Sequence, residues 1–235
     1  ILNKKASRQL QLAFNSPSIV DNLKIIFTCI EPKQRFSLPS LKDKHSFTLL
    51  HYYAIEHILN SVSEGDHFKL LMINDNYNWT ALDTASSSGN TWMVKYALDS
   101  TNRDQREEML QMKYVFGRTP MHWAAAEGHK DVLLAVHDRL SGDEWFKVLQ
   151  MKDNDGFSVV HHLAHGGHHN AIISVEATIP DVNLWHKLVC EPIPQFHDNV
   201  WTNFGKHHTA VIVLNKFHMQ AKIGKAINTS NIIGE

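Results

Sequence analysis

Apolar residues along this chain come in short bursts at helical spacing, each closed by glycine or a polar cluster. The clearest stretch shows how one such burst is built. Phe116-Gly117-Arg118 reads as a tight turn in which glycine supplies a positive φ. Thr119-Pro120 then opens a helix, with threonine as the cap and proline in the first turn, where its missing N–H costs nothing. Met121, Ala124 and Ala125 are apolar at helical spacing, and the small alanines allow close approach of a neighbouring helix. Gly128-His129 ends that helix, with Gly128 as a left-handed C-cap. Val132, Leu133 and Val136 form the stripe of a second helix. Ser141-Gly142-Asp143-Glu144 has the form of a capping box leading into Trp145-Phe146-Lys147-Val148-Leu149, which predicts a short third helical turn. Helices of about eight to ten residues are too short to be stable alone in water.

The pattern repeats. Asn78 to Asn90, Gly117 to His129 and Gly156 to His168 align without gaps, and Thr80, Thr119 and Ser158 stand 39 residues apart. The connections repeat as well: Glu108-Met109-Leu110-Gln111-Met112-Lys113 matches Lys147-Val148-Leu149-Gln150-Met151-Lys152. Upstream, Asp43 to His51 matches Asp153 to His161, but the step to Thr80 is seven residues short. Asp21 to Ile26 falls where Asp131 to Val136 falls. Downstream, Phe196 and Gly205 to Ile212 fall on Phe157 and Gly166 to Ile173. A chain of units that cannot each bury an apolar face must stack them into a continuous core.

Gly117-Arg118-Thr119-Pro120-Met121-His122-Trp123-Ala124-Ala125-Ala126-Glu127-Gly128-His129 resembles the signature of the ankyrin repeat, with Met121 for leucine. Gly156 to His168 keeps the glycine, the histidine pair and an alanine. Asn78 to Asn90 keeps Thr80, Leu82, Ala85 and Gly89 but has Asp83 where the histidine belongs. Against the usual period of about 33, each unit carries about six extra residues. The resemblance implies an all-α solenoid of stacked helix pairs with short hairpin-like fingers. One solenoid would span residues 1–235, clearest at 74–112, 113–151 and 152–190. Degenerate units would occupy 1–42, 43–73 and 191–235. A chain opening Ile-Leu-Asn-Lys-Lys reads as part of a longer array.

Composition narrows the function classes. With 43% hydrophobic and 20% charged residues the chain suits a folded globular protein. A net charge of -1, without long runs of one sign, gives no electrostatic basis for nucleic-acid or membrane-surface binding. Cys29 and Cys190 do not make a disulfide framework, which points to a reducing, cytoplasmic setting. No phosphate-binding glycine loop, nucleophile elbow or cysteine-protease context occurs, so no catalytic residue or cofactor is expected.

The 17 histidines invite a metal reading, above all His161 and His165 at i,i+4. The repeat register absorbs most of them. His51, His122 and His161 share the signature position, and His129, His168 and His207 share the one after glycine. By resemblance these are structural, bonding backbone groups of neighbouring loops. His162, His165, His169 and His208 are left over, and no metal site is assigned.

The position after the finger-tip glycine holds Phe47, Trp79, Arg118, Phe157 and Phe196. Rings there can stiffen the array, or serve as anchors for a partner protein on a concave face. The resemblance adds Tyr77, Phe116 and Asp155 beside the tips as partner-binding candidates. It also adds Ser87, Ser88, Ala126, Glu127 and His165, late in the first helix of each unit. Trp145, Phe146 and Trp185 are assigned to the core. The expected function is protein–protein recognition by a monomeric scaffold. The alternatives are a targeting or regulatory arm of a larger enzyme, and a histidine-dependent metal binder.

Overall fold

The computed structural model describes residues 48–52 and 62–190. The helices are α1 (Leu49–Tyr52), α2 (Glu64–Leu71), α3 (Ala81–Ser87), α4 (Thr91–Asp99) and α5 (Arg103–Gln111), then α6 (Pro120–Ala126), α7 (Lys130–His137) and α8 (Gly142–Gln150), then α9 (Val159–His165), α10 (His169–Glu176) and α11 (Val182–Cys190). Among the described residues there is no strand, only an isolated bridge between Lys152 and Ser158. The fold is an all-α solenoid whose unit is a helix pair plus a third helix.

Layering follows from side-chain size. The inner helices α3, α6 and α9 pack side by side through buried Ala81, Ala85, Ala124, Ala125 and Ala164. The outer helices α4, α7 and α10 form the second layer through Met93, Val94 and Leu98, Val132, Leu133 and Val136, and Ile172 and Val175. Leu82, Met121 and Leu163 fill the space between layers.

Each inner helix begins at a buried hydroxyl. Thr80, Thr119 and Ser158 all close capping boxes with the residue three positions on. At Gly128, φ is +74°, and a Cβ there would collide with the His168 imidazole. Glycine is therefore required both by the backbone and by the ring of the next unit.

The third segment is longer than the sequence suggests. It is a nine-residue helix in α5, α8 and α11 rather than a single turn. Two features lengthen it. Asn102 with Gln105 and Ser141 with Glu144 cap α5 and α8. Trp145 is sunk to 1% exposure and its indole N–H donates to Thr178 Oγ1 at 2.8 Å. Trp185 is likewise buried and Phe146 packs on the core, as the pattern predicts. Ion pairs link neighbouring units: Arg103 to Glu144 (2.6 Å), Arg139 to Asp99 (2.6 Å) and Lys147 to Glu107. Such exposed pairs add little stability each.

The short unit near His51 keeps the same bond plan. His51 Nε2 lies 2.9 Å from the Trp79 carbonyl oxygen, as His122 Nε2 lies 3.1 Å from that of Phe157. Asn102 and Ser141 follow Thr80 and Thr119 by 22 residues, whereas Ser63 follows Thr48 by 15. The seven-residue deficit therefore falls between α1 and α2. The units expected at 1–42 and 191–235 lie outside the described residues.

Candidate partner-binding surface

Among the described residues three fingers project between the units, each held at its neck by a backbone bond. Asp75 N donates to Trp79 O (2.9 Å), Tyr114 N to Arg118 O (3.1 Å) and Asp153 N to Phe157 O (2.9 Å). In the outer two fingers the aspartate also ties the loop. Asp75 Oδ1 accepts from the amides of Tyr77 and Trp79, and Asp153 Oδ1 from those of Asp155 and Phe157. The left-handed residue is then Asn78 (φ 60°) or Gly156 (φ 84°).

The middle finger has Tyr114 in place of the aspartate and closes differently. Phe116 (φ 61°) and Gly117 (φ 69°) are both left-handed, and Arg118 N donates to Val115 O at 3.3 Å. This is a two-residue type I′ turn. Gly117 meets the sequence expectation, and the Asn154 side chain packs where its Cβ would be. Phe116 was not expected to share that conformation, which is strained for a bulky side chain. Its ring is nonetheless 60% exposed.

Beneath the tips lies a run of rings that crosses from one unit to the next. The Trp79 and Trp123 centroids are 4.7 Å apart at 46°. The Arg118 guanidinium sits over Trp123 (4.8 Å) and near Phe116 (5.7 Å). Arg118 Nε is 3.6 Å from Asp153 Oδ2, which also accepts from His162 Nε2 at 2.8 Å. Phe157 packs on His162 (5.6 Å) and His165 (6.2 Å). Burial would raise the Asp153 carboxyl, but the bonds from His162 and the Phe157 amide overcome it and hold it below the usual carboxylate range. Burial pushes His162 down, so its ring is held neutral near pH 7 despite the carboxylate.

The expected residues divide into three groups. Trp79, Arg118 and Phe116 are brought together, as are Phe157 and His165. Tyr77 is 61% exposed at its tip, and Asp155, Ser88 and Glu127 are exposed. Ser87 and Ala126 are half-buried, and their carbonyls accept from His129 (2.9 Å) and His168 (2.8 Å). Phe47 lies outside the described residues, as does Phe196. The sequence reading missed Trp123, His162 and Asp153 as members of this surface. The only signal for them was register: Thr84, Trp123 and His162 share one inner-helix position, one helical turn before Ser87–Ser88, Ala126–Glu127 and His165–Gly166.

The structure accounts for the repeat histidines in turn. The Nδ1 atoms of His51, His122 and His161 accept the amides of Thr48, Thr119 and Ser158, each at 3.1 Å. His129 and His168 bond backward to the preceding inner helix. Among the described residues no three His, Cys, Asp or Glu side chains converge as a metal-ligating group. No helix among them is long and apolar enough to cross a membrane.

Residues 50–140 match the family model for ankyrin repeats, in 3 copies. Residues 50–140 carry ankyrin repeats. The ankyrin geometry continues past the matched residues: the Ser158 cap, the His161 acceptor and the His168 bridge repeat the pattern of Thr119, His122 and His129. No curated protein matches the chain. Ankyrin repeats are generally protein–protein interaction modules and typically non-catalytic.

Proposed function

We propose that this chain is a recognition module that binds a partner protein on the concave side of its ankyrin array, with the middle finger at the centre of the contact. The observation that carries this reading is Phe116. An aromatic ring is kept exposed on a strained backbone and buttressed by the Arg118 guanidinium, although glycine would fit the turn at lower cost. Rings that only stiffened the array would be buried between fingers, as Trp79 and Trp123 largely are. Aromatic and arginine side chains dominate binding hot spots, and here both kinds are fixed in place before any partner arrives. Tyr77 and Asp155 flank this centre, and Glu127 and His165 extend it along the inner helices.

A photoreactive phenylalanine analogue at position 116 tests the reading. Cross-linking to a discrete partner from position 116, and not from the outer-helix position Lys130, is the expected result. Equal yields from both positions would contradict it.

A further inference from the structure

Two departures from the repeat pattern meet at one seam. Asp83 stands where His51, His122 and His161 stand in their units, and Tyr114 stands where Asp75 and Asp153 do. Asp83 reproduces half of what the histidine does. Its Oδ2 accepts from the amide (2.9 Å) and hydroxyl (2.7 Å) of Thr80. The other half is missing, because a carboxylate is too short to reach the next finger and offers no ring N–H. The side chain is fully buried and Oδ1 has no hydrogen-bond partner. Across the seam the Tyr114 hydroxyl reaches the Thr80 side chain and Met112 Sδ (3.0 Å). The same seam carries the Trp79–Trp123 contact at the base of the recognition surface.

We infer that the seam between residues 74–112 and 113–151 is a pH-set joint. It is shut when Asp83 is protonated and loosened when Asp83 ionises, and its closure assembles the aromatic run beneath the finger tips. As regulation of the concave surface, this rests on the function proposed above. As a property of the fold, it does not.

Burial pushes the Asp83 carboxyl up to about 7, against the hydrogen bonds from Thr80 that favour the anion, and Asp75 raises it further. Tyr114 is the titratable group facing it from the next finger, and burial with the Asp83 charge pushes that phenol above its ordinary range. On the helices packed against α3, the histidines are His51 on α1 and His122 on α6. Each is engaged with its own cap and with the carbonyl of the following finger. On α4, Lys95 and Asp99 are exposed at the surface.

The sign follows from proton binding. Between the ordinary value of 3.8 and about 7, the closed seam holds a proton that the open one releases, so closure weakens as pH rises through that window and levels off above it. The next seam is governed by His122, which burial lowers from 6.5 to about 4. Its closed form excludes a proton, so it strengthens as pH rises from 4 to 6.5. Adjacent seams thus respond to pH in opposite directions.

Amide hydrogen exchange on the whole chain between pH 5 and 8, corrected for intrinsic rates, tests this. Opening at Ala81–Ala85 is expected to rise by up to about tenfold per pH unit to pH 7 and then flatten. Opening at Met121–Ala125 is expected to fall up to pH 6.5. Asp83→Asn should flatten the first profile, and Asp83→His should give it the sign of the second. Identical profiles in wild type and Asp83→Asn, or a rise shared equally by both helices, would overturn the joint. If Asp83→Asn does not fold, Asp83→His decides through the sign of its profile. Binding of the partner cross-linked at position 116 should tighten from pH 7.5 to 6. Binding that ignores pH while exchange behaves as expected would overturn the regulatory role. Absence of any position-116 cross-link bears on the function proposed above, not on the joint.

Discussion

His122 Nε2 lies 3.1 Å from the carbonyl oxygen of Phe157 and 3.0 Å from that of Met151, so one imidazole ties the start of an inner helix to the neck of the next finger. Its other nitrogen takes the Thr119 amide and hydroxyl. Replacing it with alanine strands the Thr119 N–H and the Met151 carbonyl in a buried seam, while the Phe157 carbonyl keeps only the Asp153 amide. His122→Ala is expected to cost about 2–3 kcal/mol, read as a lower denaturant midpoint. A loss of less than about 0.5 kcal/mol would mean that the bridge is incidental.

The same ring should make part of the stability acid-sensitive. Burial lowers it to about 4, and the neighbouring His162 ring, 5.4 Å away edge-on, pushes it the same way. The neutral form is the one the fold accepts. This contribution is fully present above pH 6.5 and is lost as pH falls from 6.5 to 4. Urea unfolding at pH 7 and pH 4.5 should show a drop in stability that is smaller in a His122→Gln variant. An equal drop in both would contradict the assignment.

Phe116 should show a trade of stability for binding. Phe116→Gly removes a bulky residue from a left-handed conformation and is expected to raise stability by about 1 kcal/mol, seen as a higher Tm. The same change should weaken partner binding at least tenfold. Lower stability together with unchanged binding would make the ring a structural element.

Gly128 is expected to tolerate no side chain. Alanine there would occupy a left-handed backbone and meet the His168 ring that bridges back to Ala126. A loss of about 1–3 kcal/mol is expected, with the His168 imidazole resonances shifted in NMR spectra. Unchanged resonances would place the ring elsewhere in solution.

How much of this was legible in the sequence depends on what each residue's role requires. Thr119, Gly128 and Trp145 were readable because caps, left-handed turns and buried rings leave local signatures at fixed spacing. The repeat histidines were readable as structural because they recur in register. Two features were not. The third helix runs for nine residues in α5 and α8 alike, and in α8 Trp145 is seated by a Thr178 acceptor 33 residues away, whereas a local pattern shows only its first turn. Trp123 meets Trp79, and Asp153 meets Arg118, because adjacent units stack, so those contacts exist only across a seam; His162 reaches Phe157 and Asp153 within its own unit through the fold of the finger onto the inner helix. Phe116 hid for another reason. The glycine beside it satisfied the turn on paper, and the missing aspartate at Tyr114 is what leaves the turn to close as type I′.

The most direct test of the central claim is amide hydrogen exchange of the chain with and without the partner captured at position 116. Added protection should fall on Tyr77–Trp79, Val115–Arg118 and Trp123–Glu127, with α4, α7 and α10 unchanged. Protection confined to those outer helices, with the finger tips exchanging as in the free chain, would contradict recognition by this surface.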